Sequence, residues 1–346
     1  MQQIDTLSGG HIEKMNICAD LHYDVPVDFV IRYEKGERQI FSKYHLEKFR
    51  QGGVNFIIAP IYVELWYKPE KALRRGLEIL DIILEEIETT TELVMVKDFQ
   101  DFKLLDNPDK IGIMIGVEGG ELIEDSFYLL DIYYKLGVRC FGFVHGEPNL
   151  IADAGSFQDS KRGIFEFGKM LIEELEKKEW IIDGAHLPSI GLDQLIELTK
   201  KPFLISHTLL ENPGRNVGLS ECQIIKLARK GCLIGLAALN IHPENEKIGA
   251  VPDIQEYVRW LNYVKSITGS VDCIGFGFDF YDFLDPDFIK RRFPGMIFDR
   301  VEGLEGVQNV KNLFPLLKDA GYSEKEIEKM KGGNLMNFLR NLWGVK

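Results

Sequence analysis

The sequence predicts an α/β fold, a single (β/α)8 barrel of the TIM type closed off by a C-terminal helical extension, and three observations carry that expectation. Eight short apolar runs recur along the 346 residues, mostly alternating with stretches of helical period. A hydrophobic content of 45% is enough for one large core. Ionisable residues stand where the apolar runs stop, at the strand ends where a barrel of this kind gathers its chemistry. The expected organisation is one domain over 1–346, with the barrel over about 15–320 and helices over about 323–342.

Taken in order, the first run spans residues 15–24 and ends in His22 and Asp24. Residues 25–53 mix proline, charges and a short amphipathic piece and resist assignment. Val54 to Ile61 is a second strand. Pro69 opens a helix whose apolar stripe reads Leu73, Leu77, Leu80, Leu84 and Ile87. Ile111 to Val117 is a third strand, ending at Glu118-Gly-Gly. A helix over about 125–136 stops at Gly137, and Arg139 to Val144 is a fourth strand that ends at His145. A helix over about 164–178 presents Phe167, Met170, Leu171 and Leu175 on one face. It feeds a fifth strand, Trp180 to Asp183, with His186 just beyond.

After a helix at about 189–199, Phe203 to Ser206 is the sixth strand, with His207 immediately after it. Ser220 and Gln223 form a capping box and Gly231 closes that helix. Cys232 to Leu239 is strand seven, and a helix follows at about 252–265. Cys273 to Phe278 is strand eight, ending at Asp279. A second capping box, Ser323 with Glu326, starts the closing helices.

Composition narrows the function. A net charge of -13 argues against nucleic acid or an anionic membrane as partner. No run approaches the roughly 18 unbroken apolar residues of a membrane span. The first ten residues lack the basic-then-apolar pattern of a signal peptide, and the last six lack an apolar anchor tail. The five cysteines (Cys18, Cys140, Cys222, Cys232, Cys273) are scattered with no C-x-x-C, as reduced thiols mostly in apolar runs would be. The expected location is the cytoplasm.

The chemistry lies in where the polar residues fall. Residues two apart on an extended strand point the same way, so His22 and Asp24 offer an imidazole and a carboxylate side by side. A lone histidine or carboxylate at a strand end is ordinarily a loop residue or a helix cap. Glu118 could cap a turn and Asp279 could bond its own loop. In a barrel, however, His22, Asp24, Glu118, His145, His186, His207 and Asp279 would all meet at one mouth, where so many ionisable groups need a compensating cation. They exceed what one tetrahedral zinc requires and suit two cations bridged by a carboxylate and a water, a hydrolytic arrangement. Asp20 and Asp183 lie earlier in their strands and are expected to make structural hydrogen bonds. His11, His45 and His242 are expected on the surface or in loops.

These residues resemble the membrane (renal-type) dipeptidases, a branch of the metal-dependent amidohydrolase barrels. The similarity runs from about Asn16 to Leu342. It rests on Asp20-Leu-His-Tyr-Asp24, Val117-Glu-Gly-Gly120, Leu136-Gly-Val-Arg139, Phe167-Gly-Lys169, Glu173-Glu-Leu175 and Ile182-Asp-Gly-Ala-His186. Ser206-His207, Arg215-Asn-Val217, Gly275-Phe-Gly-Phe-Asp-Phe280 and Gly332-Gly-Asn334 complete it. The resemblance implies that His22 and Asp24 bind one zinc, that His186 and His207 bind a second, and that Glu118 bridges them. It implies two Zn2+, with Mn2+ or Fe2+ able to take their place. It further implies that His145, Arg215 and Asn216 hold a dipeptide, Arg215 gripping the terminal carboxylate through two parallel hydrogen bonds. Asp279 would relay the proton.

Two departures stand out: Gly-Glu-Pro-Asn-Leu after His145, and Phe-Tyr-Asp after Asp279. Residues 281–305, rich in phenylalanine and carrying Lys290, Arg291 and Arg292, are expected to rim or cover the mouth. The alternative substrates are an N-acyl amino acid, a lactone or a cyclic amide, and a barrel without turnover would lack a ligand where none is lacking here. The sequence leaves open whether copies join in a homo-oligomer.

Overall fold

The computed structural model describes residues 16–155, 162–211, 218–244 and 250–344. Its centre is a parallel sheet made of β1 (Ala19–Asp20), β2 (Phe56–Tyr62), β4 (Ile111–Glu118), β5 (Val138–Gly142), β6 (Ile181–Asp183), β7 (Leu204–Thr208), β8 (Leu233–Leu236) and β10 (Ile274–Phe276). The strands neighbour one another in that order. The ring closes between first and last: Leu21 N–H donates to Phe276 O at 2.8 Å, and Tyr23 bridges Phe280 in parallel. All eight expected apolar runs supply the eight strands of the ring.

Paired residues share a face, and the strands alternate between two packing clusters. Phe56, Ile58, Met114, Cys140, Ile181, Leu204 and Leu233 pack together inside the ring, joined by Leu335, Met336, Phe338 and Leu339. Those last four sit on the helix Asn334–Leu342, so the C-terminal extension plugs the barrel at its closed end. The intervening residues, such as Ile57, Ile113, Ile182 and Ile234, pack outward against helices through Ile79, Leu171, Leu192, Leu227 and Leu261. Strands buried on both faces are apolar throughout, which is why they read as unbroken runs.

Several elements differ from expectation. The unassigned stretch holds the helix Val25–Glu34, then a wide turn Phe41–His45 running into Leu46–Gly52. β3 (Leu93–Met95) pairs with the first residues of β4, occupying an edge that β5 takes over only from Ile115 onward. The helix after Pro69 is Ala72–Thr89, and its buried face is centred on Ile79, Leu80 and Ile83, with Leu77 exposed. It also buries Glu86, which accepts from the backbone N–H groups of Ile40 (2.8 Å) and Phe41 (2.9 Å). The helix Glu166–Lys177 buries Leu171, Ile172 and Leu175 and leaves Met170 half exposed.

Strand seven is shorter than expected. β8 stops at Leu236, and Leu239–Pro243 forms a separate β9, antiparallel to β11 (Met296–Arg300). Both capping boxes are present, and Gly231 takes the left-handed conformation (φ 79°) that ends its helix. Four of the five cysteines are buried, Cys222 is exposed, and none is in a disulfide. Among the described residues no helix is long and apolar enough to cross a membrane.

Two histidines are not surface residues. His45 is 0% exposed, its Nε2 lying 2.9 Å from Asp28 Oδ2 and its Nδ1 3.5 Å from Tyr23 Oη. His242 is 3% exposed and ties β9 to β11, Nε2 meeting Asp299 Oδ2 at 3.0 Å. A buried imidazole needs a partner for each ring nitrogen. Apart from the Pro243 carbonyl beside His242 Nδ1, those partners come from elsewhere in the chain, where no local pattern announces them. His11 lies outside the described residues.

Candidate metal centre

Three different backbone devices turn side chains into the barrel mouth. Glu118 follows Met114 and Gly116 at the period of two that points inward, and it ends β4. His207 sits where the β7–β8 register shifts, between Ile205 and Thr208. An irregularity of this kind breaks strict alternation and re-aims a side chain. His186 (φ 63°) and Asp279 (φ 59°) adopt left-handed backbone conformations as non-glycine residues. Such conformations cost on the order of 1–3 kcal/mol and concentrate at functional sites.

Seven of the expected residues converge. Glu118 Oε1 lies 2.7 Å from His186 Nε2, 3.6 Å from His22, 3.8 Å from His145 and 3.9 Å from His207. His22 Nε2 is 3.4 Å from Asp24 Oδ1 and 3.9 Å from Asp279 Oδ1. His207 Nε2 faces His186 Nε2 at 2.9 Å. Three sets of donor atoms each fall within 4.8 Å of one another: His22 with Glu118 and His207, Glu118 with His145 and His186, and His22 with Asp24 and Asp279. Glu118 and His22 each belong to two of them. Arg215 and Asn216 lie outside the described residues.

The residues just outside this ring hold it in place. Ser206 Oγ meets His207 Nδ1 at 3.0 Å and so directs Nε2 inward. Asp183 accepts from Ser206 N–H (2.9 Å) and Ala185 N–H (3.0 Å), fixing the approaches to both His207 and His186. Asp20 Oδ1 accepts from Phe278 N–H (3.0 Å) and His22 N–H (3.2 Å), joining the ends of β1 and β10. Asp20 and Asp183 thus make the backbone hydrogen bonds expected of them.

Electrostatically the cluster is under tension. Burial opposes ionisation of Glu118, yet the imidazoles of His22, His145 and His186 hold its carboxyl well below the usual range. Burial likewise disfavours a charged His22, but Glu118, Asp24 and Asp279 hold its pKa well above the ordinary value. Burial drives His145 and His207 well below it. Burial, with Asp24 and Glu118 adding to it, pushes Asp279 up to about 7. Among the described residues no lysine or arginine stands within ion-pair distance of Glu118. Close imidazole nitrogens and carboxylate oxygens, without a thiolate, are the donors that borderline divalent cations prefer. The set fits such cations.

Sequence reading missed a second group at the mouth. Arg292, on the helix Pro286–Arg292, is 6% exposed and reaches His145 Nδ1 (3.1 Å), Glu147 (2.9 and 3.2 Å) and the hydroxyl of Tyr62. Lys68 pairs with Glu121 at 3.2 Å and approaches Glu147 at 3.7 Å. The segment 281–305 therefore reaches the mouth, Arg292 and Phe293 both lying against His145, and the β9–β11 ribbon anchors it. Its cluster of basic and aromatic residues was the one available signal, and it did not say which residue turns inward.

Fold and site together define a class: parallel α/β barrels that carry a buried histidine and carboxylate cluster, suited to divalent cations, at their carboxyl mouth. Within that class the assignment is direct. The profile of the membrane dipeptidase family (Peptidase family M19) matches residues 10–345, and the chain belongs to that family. It is 25% identical over 307 residues to Dipeptidase 3 of Mus musculus, covering 87% of this chain and 58% of the mouse protein. Against Dipeptidase 3 of Homo sapiens it is 23% identical over 338 residues, covering 94% and 65%. The chain thus spans roughly three-fifths of the length of these relatives.

Among solved structures, an amidohydrolase from Pseudomonas aeruginosa superposes with a TM-score of 0.78 at 21% identity, covering 98% of this chain and 100% of that one. A metallopeptidase from Rhodobacter sphaeroides, liganded with a phosphinate mimic of the dipeptide L-Ala-D-Ala, gives 0.79 at 17% identity, covering 95% and 100%. These likenesses establish the barrel fold.

Proposed function

We propose that this chain is a metal-dependent dipeptidase working with two divalent cations, zinc by preference. His22 and Asp24 would hold one cation and His186 and His207 the other, with Glu118 between them. The observation that carries the reading is the setting of Glu118: a buried carboxylate facing four imidazoles with no lysine or arginine counter-charge among the described residues. Family membership and the solved metallopeptidase with its dipeptide mimic support the substrate class.

When bound, a pair of such cations supplies a water acidified to near neutrality and polarises the carbonyl under attack. The chain's own residues do the rest. Asp279, whose Oδ1 lies 3.9 Å from His22 Nε2 at the mouth, would take a proton at that oxygen and return it to the leaving amine. His145 faces the space beside Glu118 and would hold the substrate's carbonyl end. Arg215 would grip the free carboxylate, restricting substrates to short peptides, and Asn216 would help to orient them. Burial of His22, Glu118 and His207 strengthens the electrostatics at the centre of the site.

Elemental analysis alongside a panel of dipeptides tests the proposal. The expected result is close to two divalent cations per chain and turnover of some dipeptides, both removed by exhaustive chelation. Glu118→Gln should lose metal and lower kcat/KM by at least about a thousandfold, since a bridging ligand is shared by everything the site does. Arg215→Ala should raise KM for dipeptides while leaving an ester or lactone without a carboxylate unaffected. Metal-free protein with undiminished activity, or activity confined to carboxylate-free substrates, overturns the reading.

A further inference from the structure

Arg292 and His145 are 147 residues apart in sequence, and their contact settles a question that the metal-ligand geometry leaves open. His145 lies within reach of Glu118 and His186 in an arrangement that could itself coordinate a cation. Its other ring nitrogen, Nδ1, receives Nη2 of Arg292 at 3.1 Å. A guanidinium is a permanent donor with no acceptor site. Nδ1 must therefore be the lone-pair nitrogen, and in the neutral ring the proton must sit on Nε2. Nε2 is the nitrogen that faces Glu118, 3.8 Å away.

We infer that Arg292 is a positioning residue that locks His145 as an Nε2–H donor, keeping it out of the metal's coordination sphere and aiming a hydrogen-bond donor at the reacting group. The inference rests on the metal-dependent hydrolase reading of this site and assigns a task to the 281–305 segment, which departs from the family pattern.

The guanidinium is built into place. Glu147 takes it through Nη1 at 2.9 Å and Nη2 at 3.2 Å, and the Tyr62 hydroxyl, at the end of β2, takes Nε–H. The Tyr62 ring also lies against His145, with centroids 4.7 Å apart. Residue 146 leaves room for this approach: a Cβ there would come within 2.8 Å of Arg292 Nη2, so glycine suits the position. The Gly146-Glu147 pair after His145 and Arg292 in the far segment are thus two halves of one device. An imidazole with Nδ1–H would turn a lone pair toward the cations and compete as a ligand. One with Nε2–H can instead donate to an oxygen that gains negative charge in the transition state.

The test is nitrogen-15 NMR of zinc-loaded protein labelled at histidine, with His145 resonances assigned by their loss in His145→Gln. The expected result is an acceptor-type signal for His145 Nδ1 and a protonated Nε2. In Arg292→Met that signature should disappear while the His242 signals and zinc content stay as in the wild type. kcat should then fall at least about tenfold with KM within about twofold, the pattern of a lost transition-state contact.

A wild-type His145 protonated at Nδ1 overturns the inference, as does an unchanged tautomer in Arg292→Met. A rise confined to KM would make Arg292 a substrate contact instead and overturns it equally. Should Arg292→Met fail to fold, Glu147→Gln is expected to weaken the same signature, and an unaltered one there counts against the lock. If the wild type turns over no dipeptide, the functional reading fails while the tautomer measurement still decides this one.

Discussion

His45 shows how a single buried side chain sets a pH dependence far from any chemistry. Burial lowers its pKa below 6.5, and the neighbouring Asp28 offsets only part of that. In the unfolded chain the ring takes up its proton near 6.5, whereas the folded protein resists. The unfolded state then binds more protons below that pH, so folding stability contributed by His45 is intact above about 6.5 and declines as the pH drops. A single such group contributes a slope of up to about 1.4 kcal/mol per pH unit. Urea unfolding of the wild type between pH 7 and pH 5 should show this decline. In His45→Gln, which keeps a donor for Asp28 but cannot titrate, the slope should be shallower by that amount. Equal slopes in the two proteins would mean that folding leaves the His45 pKa unshifted.

At the scale of elements, the close packing of strands near the mouth leaves no slack. A Cβ on Gly235 of β8 would lie 2.0 Å from the carbonyl oxygen of Ser206, and one on Gly277 would lie 1.8 Å from the same atom. Two glycines thus clasp the β7 backbone one residue before His207. Gly235→Ala or Gly277→Ala must push that carbonyl away, at a cost of about 1–3 kcal/mol for overpacking. Either variant should melt several degrees lower and, unlike an outer-face substitution of equal cost, should also lose metal, because His207 moves with the strand. Normal metal content in a destabilised Gly235→Ala would disconnect this clasp from the site.

The β9–β11 ribbon makes a different demand. His242→Leu strands Asp299 without its partner, so limited proteolysis should cut within 281–305 well before it cuts the wild type.

The same elements explain what could be read from the chain beforehand. Ring strands buried on both faces are apolar regardless of neighbours, so Val54–Ile61 and Ile111–Val117 announced themselves. Seven strand-end residues came together as expected because a parallel barrel sends every carboxyl end to one mouth. β3 is three residues long and pairs only where β4 lacks β5, a circumstance of register with no local signature. Helix stripes were legible as helices but not in phase. The face of Ala72–Thr89 holds Arg75, bonded to Glu64, and Glu86, bonded to two backbone N–H groups, so burial there follows distant partners instead of hydrophobicity. Arg292 was hidden for the same reason, its partners Tyr62, His145 and Glu147 lying at least 145 residues away.

Across the whole molecule, the proposed ligands come from β1, β4, β6 and β7, strands spread around the ring. The ring itself closes on few bonds: β1 is two residues long, and Leu21 N–H to Phe276 O joins first strand to last. Cations held between those strands would act as cross-ties at the open end, opposite the plug formed by Asn334–Leu342. Without them the burial of these groups opposes their ionisation, and Asp24 and Glu118 add to it at Asp279. Metal binding should therefore stabilise the fold itself.

At a thousandfold excess over Kd, a bound ligand adds about 4 kcal/mol. Unfolding entropy of about 2.1 cal/mol/K per residue gives roughly 0.7 kcal/mol/K over 346 residues, so the melting temperature should rise by about 6 °C for one such cation and more for two. Calorimetry of metal-free protein titrated with zinc measures this directly. Glu118→Gln should melt close to the metal-free wild type and respond little to zinc. A wild type whose melting point ignores both chelator and added zinc would mean that no cation ties these strands together.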